Sequence, residues 1–519
     1  MLEGTTLWDL VEQRAAASPD ARMAVDESGR SMTFAEYRDR CERVAAALAE
    51  RGIGPGDTVT WQLPTWLESL VLVGAIGRLG ARQNPILHIY REREVGFCAR
   101  QTGAKLLVVP TTFANVDFGA MAEGIAAQIN AEGGSVEVLT CDRDLPEADP
   151  STLPPAPTDG DEIRWYFYTS GTTADPKGAQ HTDQTIAAVA RGMNGRLAFG
   201  PEDRNALAFP FPHIGGVTWL FSSLQTGGQQ ICFQAFVPDQ VVEVLDREGV
   251  TLAGSGTVFH QTYLAAQRKA GGGLFARVRA FPGGGAPKPP ALHFEMKEAF
   301  PGSKGILSGY GLTEAPILTM SGVDDGDDDL AHTEGAPMPG VELKLVTTDG
   351  TVAGVGEEGE VRAKAPQLMK GYLDASLDAE AFDEEGYFRT GDLGVLNERN
   401  MLAITGRLKD IIIRKGENVS AKEVEDHLYR HPKVADVAVI GLPDPASGER
   451  VCAVVATAEG AEPLGFDEMV EFLKGEGLMV QKIPEQLELE PAIPRNPAGK
   501  ILKRDLQAKY EGSSPNRRA

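Results

Sequence analysis

The sequence predicts an α/β protein: a large N-terminal domain of mostly parallel sheets flanked by helices, a β-rich subdomain, and a small α+β C-terminal domain. Three observations carry that expectation. Short β-prone runs alternate with amphipathic helices through the first half, which indicates crossover units. Several such runs end in glycine-rich loops (Ser170, Gly283 and Gly309), where ligands gather in doubly wound sheets. Beyond Gly340 the pattern changes to short antiparallel-type strands. At 519 residues the chain exceeds one ordinary domain.

Taken in order, Thr33-Phe-Ala-Glu36 reads as a capping box opening a helix whose apolar positions (Phe34, Tyr37, Cys41, Val44, Ala45, Leu48) recur at helical spacing. Gly52 to Gly56 closes it. Val59 to Leu63 reads as a strand, and Thr65-x-x-Glu68 as a second capped helix running to about Gly80. Leu106 to Pro110 and Val136 to Cys141 are further strands. Pro146 to Asp161, rich in proline and acid, reads as an exposed connection. Ile163 to Tyr168 is a strand leading into a polar loop. Gln230 to Phe236 and Val278 to Phe281 are β-like, the second entering Gly283-Gly-Gly-Ala-Pro287, and Gly305-Ile-Leu307 leads into Ser308-Gly-Tyr-Gly-Leu-Thr-Glu314. Val341 to Val346 and Gly359 to Ala363 read as antiparallel strands, Phe388 to Asp392 as a polar turn, and Ala421 to Tyr429 as a helix. Asp436 to Ile440 and Arg450 to Ala456 complete the small unit. The boundary falls near Lys409, giving domains 1–408 and 409–519, with Gly512 to Ala519 frayed.

Composition narrows the function. Hydrophobic residues make up 42% of the chain and mean hydropathy is -0.19, which is globular. No apolar run reaches the ~18 residues of a spanning helix. The start, Met-Leu-Glu-Gly, shows no basic leader before an apolar core, so no secretory signal is expected. Five scattered cysteines without metal spacing fit reduced, buried thiols and a cytoplasmic setting. A net charge of -24 argues against a nucleic-acid partner and means that an anionic ligand must meet locally placed cations. The densest acidic run, Asp324 to Asp329, lacks calcium-loop spacing and reads as a solvated loop.

The stretch Tyr168-Thr-Ser-Gly-Thr-Thr-Ala-Asp-Pro-Lys177-Gly178 is the strongest chemical signal. Gly171 and Gly178 allow close backbone approach, Thr169, Ser170, Thr172 and Thr173 offer hydroxyls, and Lys177 a compact cation. By itself this fits either a polyphosphate cradle or a polar surface loop. It is not a Walker A loop, because Lys177 is followed by Gly178.

With those residues laid out, the chain resembles the adenylate-forming superfamily of acyl-CoA synthetases over almost its whole length. The phosphate loop looks like Thr169 to Gly178, the adenine-side motif like Gly284-Gly285-Ala286-Pro287, and the Tyr-Gly-x-Thr-Glu motif like Tyr310 to Glu314. The ribose motif looks like Thr390-Gly-Asp392, the hinge region like Gly406-Arg-Leu-Lys-Asp410, and the lysine motif like Pro494 to Lys500. Ala174 stands where the family usually has glycine, Asn496 replaces a common threonine, Ala421 a common proline, and Arg82-Gln83 common small apolar residues. None of these departures removes a charged group. The segment Asn84 to Glu94 is similar to bacterial medium-chain fatty-acid and cyclohexanecarboxylate ligases.

The resemblance implies a two-step reaction using ATP, Mg²⁺ and CoA, with a mobile C-terminal domain. It implies Lys500 bridging carboxylate and α-phosphate, Thr313 donating to the α-phosphate, Glu314 holding Mg²⁺, and Tyr310, flanked by Gly309 and Gly311, stacking on adenine. Asp392 would take the ribose hydroxyls, Arg407 assist at ribose or phosphate, Lys409 act as the hinge, and the segment around Gly416 line the CoA tunnel. His213 would gate the acyl and CoA passages, with Phe211, Gly215, Gly216 and Trp219 along an apolar acyl pocket. That pocket supplies no cation for a second carboxylate, which favours a medium-chain, alicyclic or other bulky apolar acid. A free carrier protein as acyl acceptor, and an inactive nucleotide- or acyl-binding module, are the competing readings; the resemblance also admits a homo-oligomer.

Overall fold

The computed structural model describes residues 1–169, 176–285, 288–414, 417–445, 447–495 and 500–516. The chain winds first around a six-stranded sheet in the order Lys177–Thr182, Ile163–Thr169, Arg82–Pro85, Thr58–Trp61, Ala104–Val109, Glu137–Thr140. All neighbours are parallel except the first pair, a hairpin registering Lys177 against Thr169. Central strands are covered on both faces, so they read as apolar runs rather than alternating ones, as Leu106 to Val109 show. A second sheet pairs Arg204–Leu207, Gln229–Cys232 and Arg22–Asp26 in parallel. It meets the third sheet through Leu252, which bridges Asn205 on one side and Ala280 on the other.

The third sheet places Phe281–Gly284 parallel to Ile306–Tyr310. Both strands run out into their glycine loops at the same edge. The first strand starts later than the apolar run at Val278 suggests, because Ala280 is spent bridging Leu252. A four-stranded antiparallel sheet, Glu342–Val346, Glu358–Lys364, Phe388–Leu396 and Leu402–Arg407, forms the β-rich subdomain. Phe388 to Asp392, read from sequence as a turn, is the start of a strand; Gly391, at φ +70°, supplies the local kink that the polar composition signalled. The last sheet begins at Ile411 and is built on Val434–Asp444 and Gly448–Thr457, with Gln486–Glu490 parallel to the latter. Its two hydrophobic clusters draw only on residues from Ile412 onward.

Of the two capping boxes expected from sequence, one forms and one does not. Thr33 and Glu36 do form the reciprocal capping box. Thr65 and Glu68 do not: the helix Leu67–Leu79 has no side-chain cap. Thr65 Oγ1 instead accepts from the Phe211 N–H (3.0 Å), and the buried Glu68 carboxylate pairs with Arg30 (3.1 Å) and Arg40 (3.7 Å). Tertiary partners outbid a local motif there. The acidic run is likewise only partly a loop. Asp327–His332 is a short helix, with Asp327 on Lys297 (2.6 Å) and Asp329 buried against Arg399. The C-terminal segment is not frayed through Asn516. Arg450 donates to the Ser513 carbonyl (2.7 Å), and the Leu487 N–H donates to Asn516 Oδ1 (2.7 Å). Among the described residues no helix is long and apolar enough to cross a membrane, and all five cysteines are buried free thiols.

Candidate functional site

The three glycine-bearing strand ends do meet. They open onto one cavity of about 680 Å³, lined among others by Thr169, Lys177, Gly283, Gly284, Gly285, Gly309 and Gly311. Small residues are required where backbone crowds backbone. A Cβ on Gly284 would lie 2.5 Å from the Gly309 carbonyl oxygen, and one on Gly311 2.2 Å from the Ile317 nitrogen. Ser170, Gly171, Thr172, Thr173, Ala174, Ala286, Pro287 and Gly416 lie outside the described residues.

Glu314 is buried beside this edge. Tyr372 donates its hydroxyl to Glu314 Oε1 (2.8 Å), and the Lys177 ammonium sits 5.6 Å from the centre of the same ring. No sequence motif points to Tyr372. It arrives because residues 370–373 run alongside the hairpin strand: Gln180 N–H donates to the Gly371 carbonyl and Leu373 N–H to the Gly178 carbonyl. Thr313 is fixed from behind by His181, whose Nε2 meets the Thr313 carbonyl at 2.9 Å and whose Nδ1 meets Thr185 Oγ1 at 3.1 Å. Burial pushes the His181 imidazole down to about 4, so it serves as a neutral strut.

Asp392 is the hub of a second group. Its Oδ2 accepts from the Tyr310 hydroxyl (2.8 Å), its Oδ1 pairs with Arg407 Nε (2.7 Å), and its N–H donates to Thr390 Oγ1 (3.1 Å). Tyr310, expected to stack on adenine, is instead nine-tenths buried in the core under the antiparallel sheet and is not among the residues lining the cavity. Each carboxylate oxygen of Asp392 keeps a lone pair for a further donor. Arg407, Lys409 and Lys500 all reach the cavity wall. Burial, then the charges of Arg407 and Lys409, push the Lys500 ammonium down to about 8. Lys409 is lowered in the same way, by burial and then by Arg407. Three cations thus crowd one wall of a chain whose net charge is -24. Such a wall is set to receive an anion.

The opposite part is apolar. The packed helices Asp183–Leu197 and Ile214–Thr226 contribute Met193, Ile214, Thr218 and Trp219 to the lining, and Ile317 and Met320 close it. Trp219 is held edge-on by Phe199 (5.4 Å between centres). His213 caps the second helix: its Nδ1 accepts from the Gly215 N–H (3.0 Å), and Phe209 packs edge-on at 4.8 Å. Burial lowers the imidazole to about 4. It is therefore neutral near pH 7, and with Nδ1 accepting, its proton resides on Nε2.

Two acyl-pocket expectations need correcting. Phe211 is fully buried against Trp61 (5.9 Å between centres) and does not line the cavity. Gly216 does not widen the pocket either; a Cβ there would lie 2.6 Å from Phe211 Cα and 2.7 Å from the Pro210 carbonyl oxygen. The aromatic-proline turn has to press against the helix, and glycine permits it. Gly216→Ala is expected to cost about 1–3 kcal/mol of stability through overpacking, read from urea or thermal unfolding. Gly215→Ala, whose Cβ would meet the His213 ring at 3.3 Å and the Phe209 ring at 3.9 Å, should leave stability nearly unchanged and alter acid preference.

Among the described residues no group of three or more His, Cys, Asp or Glu could hold a metal ion. The single buried carboxylate of Glu314 fits an ion that arrives on phosphate oxygens and adds one protein ligand, as Mg²⁺ does.

Comparison with known proteins agrees with this geometry. The AMP-binding enzyme family model matches residues 11–373, and the AMP-binding enzyme C-terminal domain model residues 423–500. A medium-chain fatty-acid–CoA ligase of Escherichia coli is 32% identical over 508 residues, covering 96% of this chain and 89% of that one. A salicyl-AMP ligase/salicyl-S-ArCP synthetase of Mycobacterium tuberculosis is 31% identical over 523 residues, covering 97% and 90%. The crystal structure of ATP-bound MatB from Rhodopseudomonas palustris superposes with a TM-score of 0.86 at 27% identity, over 97% of this chain and 99% of that one.

Proposed function

The chain belongs to the AMP-binding enzyme family and is an AMP-forming acid–thiol ligase, and from that premise we propose that it converts a bulky apolar monocarboxylic acid into its CoA thioester. The observation that carries the reading is one cavity with a cationic wall (Arg407, Lys409, Lys500), a further lysine, Lys177, in its lining, and an uncharged helical wall (Met193, Thr218, Trp219). Phosphates match the first and an acyl chain or ring the second. A dicarboxylate would leave one charge unpaired against the second, which is costly.

In the first half-reaction the acid's carboxylate oxygen attacks the α-phosphorus and pyrophosphate leaves. Lys500 lies between two anions that must approach each other, and its ammonium offsets their repulsion as the new P–O bond forms. Thr313 donates to the α-phosphate oxygens, Tyr310 holds the Asp392 carboxylate through its hydroxyl, and Asp392 accepts from the ribose with Arg407 beside it. Bound Mg²⁺, held by Glu314, would neutralise phosphate charge. In the second half-reaction the CoA thiol, losing its proton, attacks the acyl carbonyl and AMP leaves. We place the division between domains 1–408 and 409–519, with Lys409 as the hinge by which the small domain turns between the two steps. His213, neutral and fixed at the head of its helix, stands where acyl and thiol passages join. Five buried thiols suit a cytoplasmic setting.

Acid-dependent ATP–pyrophosphate exchange across octanoate, cyclohexanecarboxylate, an aromatic acid and a dicarboxylate tests this reading. Fast exchange with the first two and none with the dicarboxylate is expected; no exchange with any acid would leave a binding module instead. The mycobacterial relative, named for loading a carrier, favours one competing acceptor. Thioester yield with free CoA against a phosphopantetheinylated carrier protein decides between them.

A pH profile follows from Lys500. Its charged form is lost as pH rises through about 8 in the free protein. The kcat/KM for adenylation is therefore expected to fall about tenfold per pH unit above that value. Bound phosphates favour the ammonium, so the alkaline limb of kcat should lie higher. Lys500→Arg should remove the limb from the accessible range, and a limb that stays in place assigns it to another group.

A further inference from the structure

We propose that Asp436, acting through Arg495, and Glu425, acting through Lys503, are positioning residues that hold Lys500 at the cavity. The inference rests on the adenylating reading of the site and adds residues on which no motif falls. The described residues on either side of the segment that carries Lys500 are held together by the Leu502 N–H donating to the Pro494 carbonyl (2.8 Å) and by an antiparallel bridge between Arg495 and Ile501. Each side is tied down by an ion pair. Before Lys500, Arg495 Nη2 reaches both oxygens of Asp436 (2.8 and 2.9 Å), with Nε at 3.2 Å. After it, Lys503 Nζ meets Glu425 Oε1 at 2.7 Å.

The two carboxylates are themselves fixed. Asp436 Oδ1 also accepts from the Tyr429 hydroxyl (2.6 Å) and from the Val437 N–H (2.9 Å). Glu425, buried, accepts from the Val439 N–H (2.8 Å). Both anchors thus end on the strand Val434–Asp444, which pairs along its length with the sheet's central strand Gly448–Thr457. A lysine carries its charge on a flexible four-carbon stem. Its ammonium is useful between two anions only if the backbone that bears it is held, since a displacement of about 1 Å can cost ~10²-fold. The pairs are partly shielded and charge-assisted, and the Arg495 clamp is anchored at two oxygens rather than one.

The test uses the full chain and octanoate, or whichever acid of the panel gives the fastest exchange, and compares the half-reactions. Asp436→Asn and Glu425→Gln are each expected to slow pyrophosphate exchange roughly tenfold. Formation of octanoyl-CoA from supplied octanoyl-adenylate should stay within twofold. Arg495→Ala should match Asp436→Asn, and the double variant should lose no more than either single one. Tyr429→Phe removes a comparable hydrogen bond from the same carboxylate while leaving the arginine clamp; it should keep wild-type exchange. Equal slowing of both half-reactions, or a Tyr429→Phe defect as large as that of Asp436→Asn, would mean a fold-stabilising role only and overturn the proposal. Lys500→Ala run alongside separates the two levels. If it leaves exchange intact, the reading of the site fails; if it abolishes exchange while Asp436→Asn does not, only the clamp fails.

Discussion

Lys500→Ala is expected to lower acid-dependent ATP–pyrophosphate exchange by ~10² to 10³, the range seen when a charged or hydrogen-bonding stabiliser of a developing anion is removed. The physical case starts from the wall it occupies. Lys500 is held where burial and the neighbouring Arg407 and Lys409 already disfavour its charge, as its fall to about 8 shows. The nearby Asp392 and Asp410 carboxylates offset part of that cost, and an anion entering the cavity offsets more. The interaction is therefore greatest when the carboxylate and α-phosphate are both present and closest. Arg407 does not replace it, because its guanidinium is engaged by Asp392 at 2.7 Å. Transfer from supplied acyl-adenylate to CoA has no triphosphate to neutralise, so it should remain within a few-fold. Equal loss in both half-reactions would assign Lys500 to the fold or to the thioester step.

Much of this arrangement was legible in the chain because the loops that hold a polyphosphate have a narrow chemistry. Glycines at 284 and 311 mark places where one backbone lies against another, and a close approach of 2.2–2.5 Å leaves no room for a Cβ. Strand and helix alternation gave the parallel sheets for a similar reason: burial on both faces writes itself as apolar runs. What stayed hidden was decided by partners distant in sequence. Thr65 and Glu68 have the spacing of a capping box, yet one accepts from Phe211 and the other pairs with Arg30. Phe211 and Gly216, which the resemblance placed along the acyl pocket, turn out to be a packing contact. Tyr372 carries no signature, since its value lies in reaching Glu314, 58 positions away in sequence. Met193 and Thr218 likewise carry no signature, and reach the cavity because two helices pack side by side.

Lys409→Pro is expected to slow transfer of the acyl group to CoA by ~10² while leaving pyrophosphate exchange equal to that of Lys409→Ala. The linker offers little else to turn on. The antiparallel sheet ends at Arg407, a single 3₁₀ turn spans Leu408–Asp410, and the next sheet begins at Ile411. A 3₁₀ turn has φ near the value that proline fixes, so the present arrangement, with Lys500 at the cavity, accommodates the ring at position 409. The cost it does impose falls on Leu408, which proline draws towards extended backbone. Turning the small domain requires backbone angles in this turn to leave their present values, and proline locks φ at one residue and restricts the preceding one. Comparison with Lys409→Ala matters because the ammonium itself stands on the cationic wall. Alanine removes the charge and keeps the freedom, so any extra loss in the proline variant reports the backbone alone. Equal transfer rates in the two variants would place the pivot elsewhere in the linker.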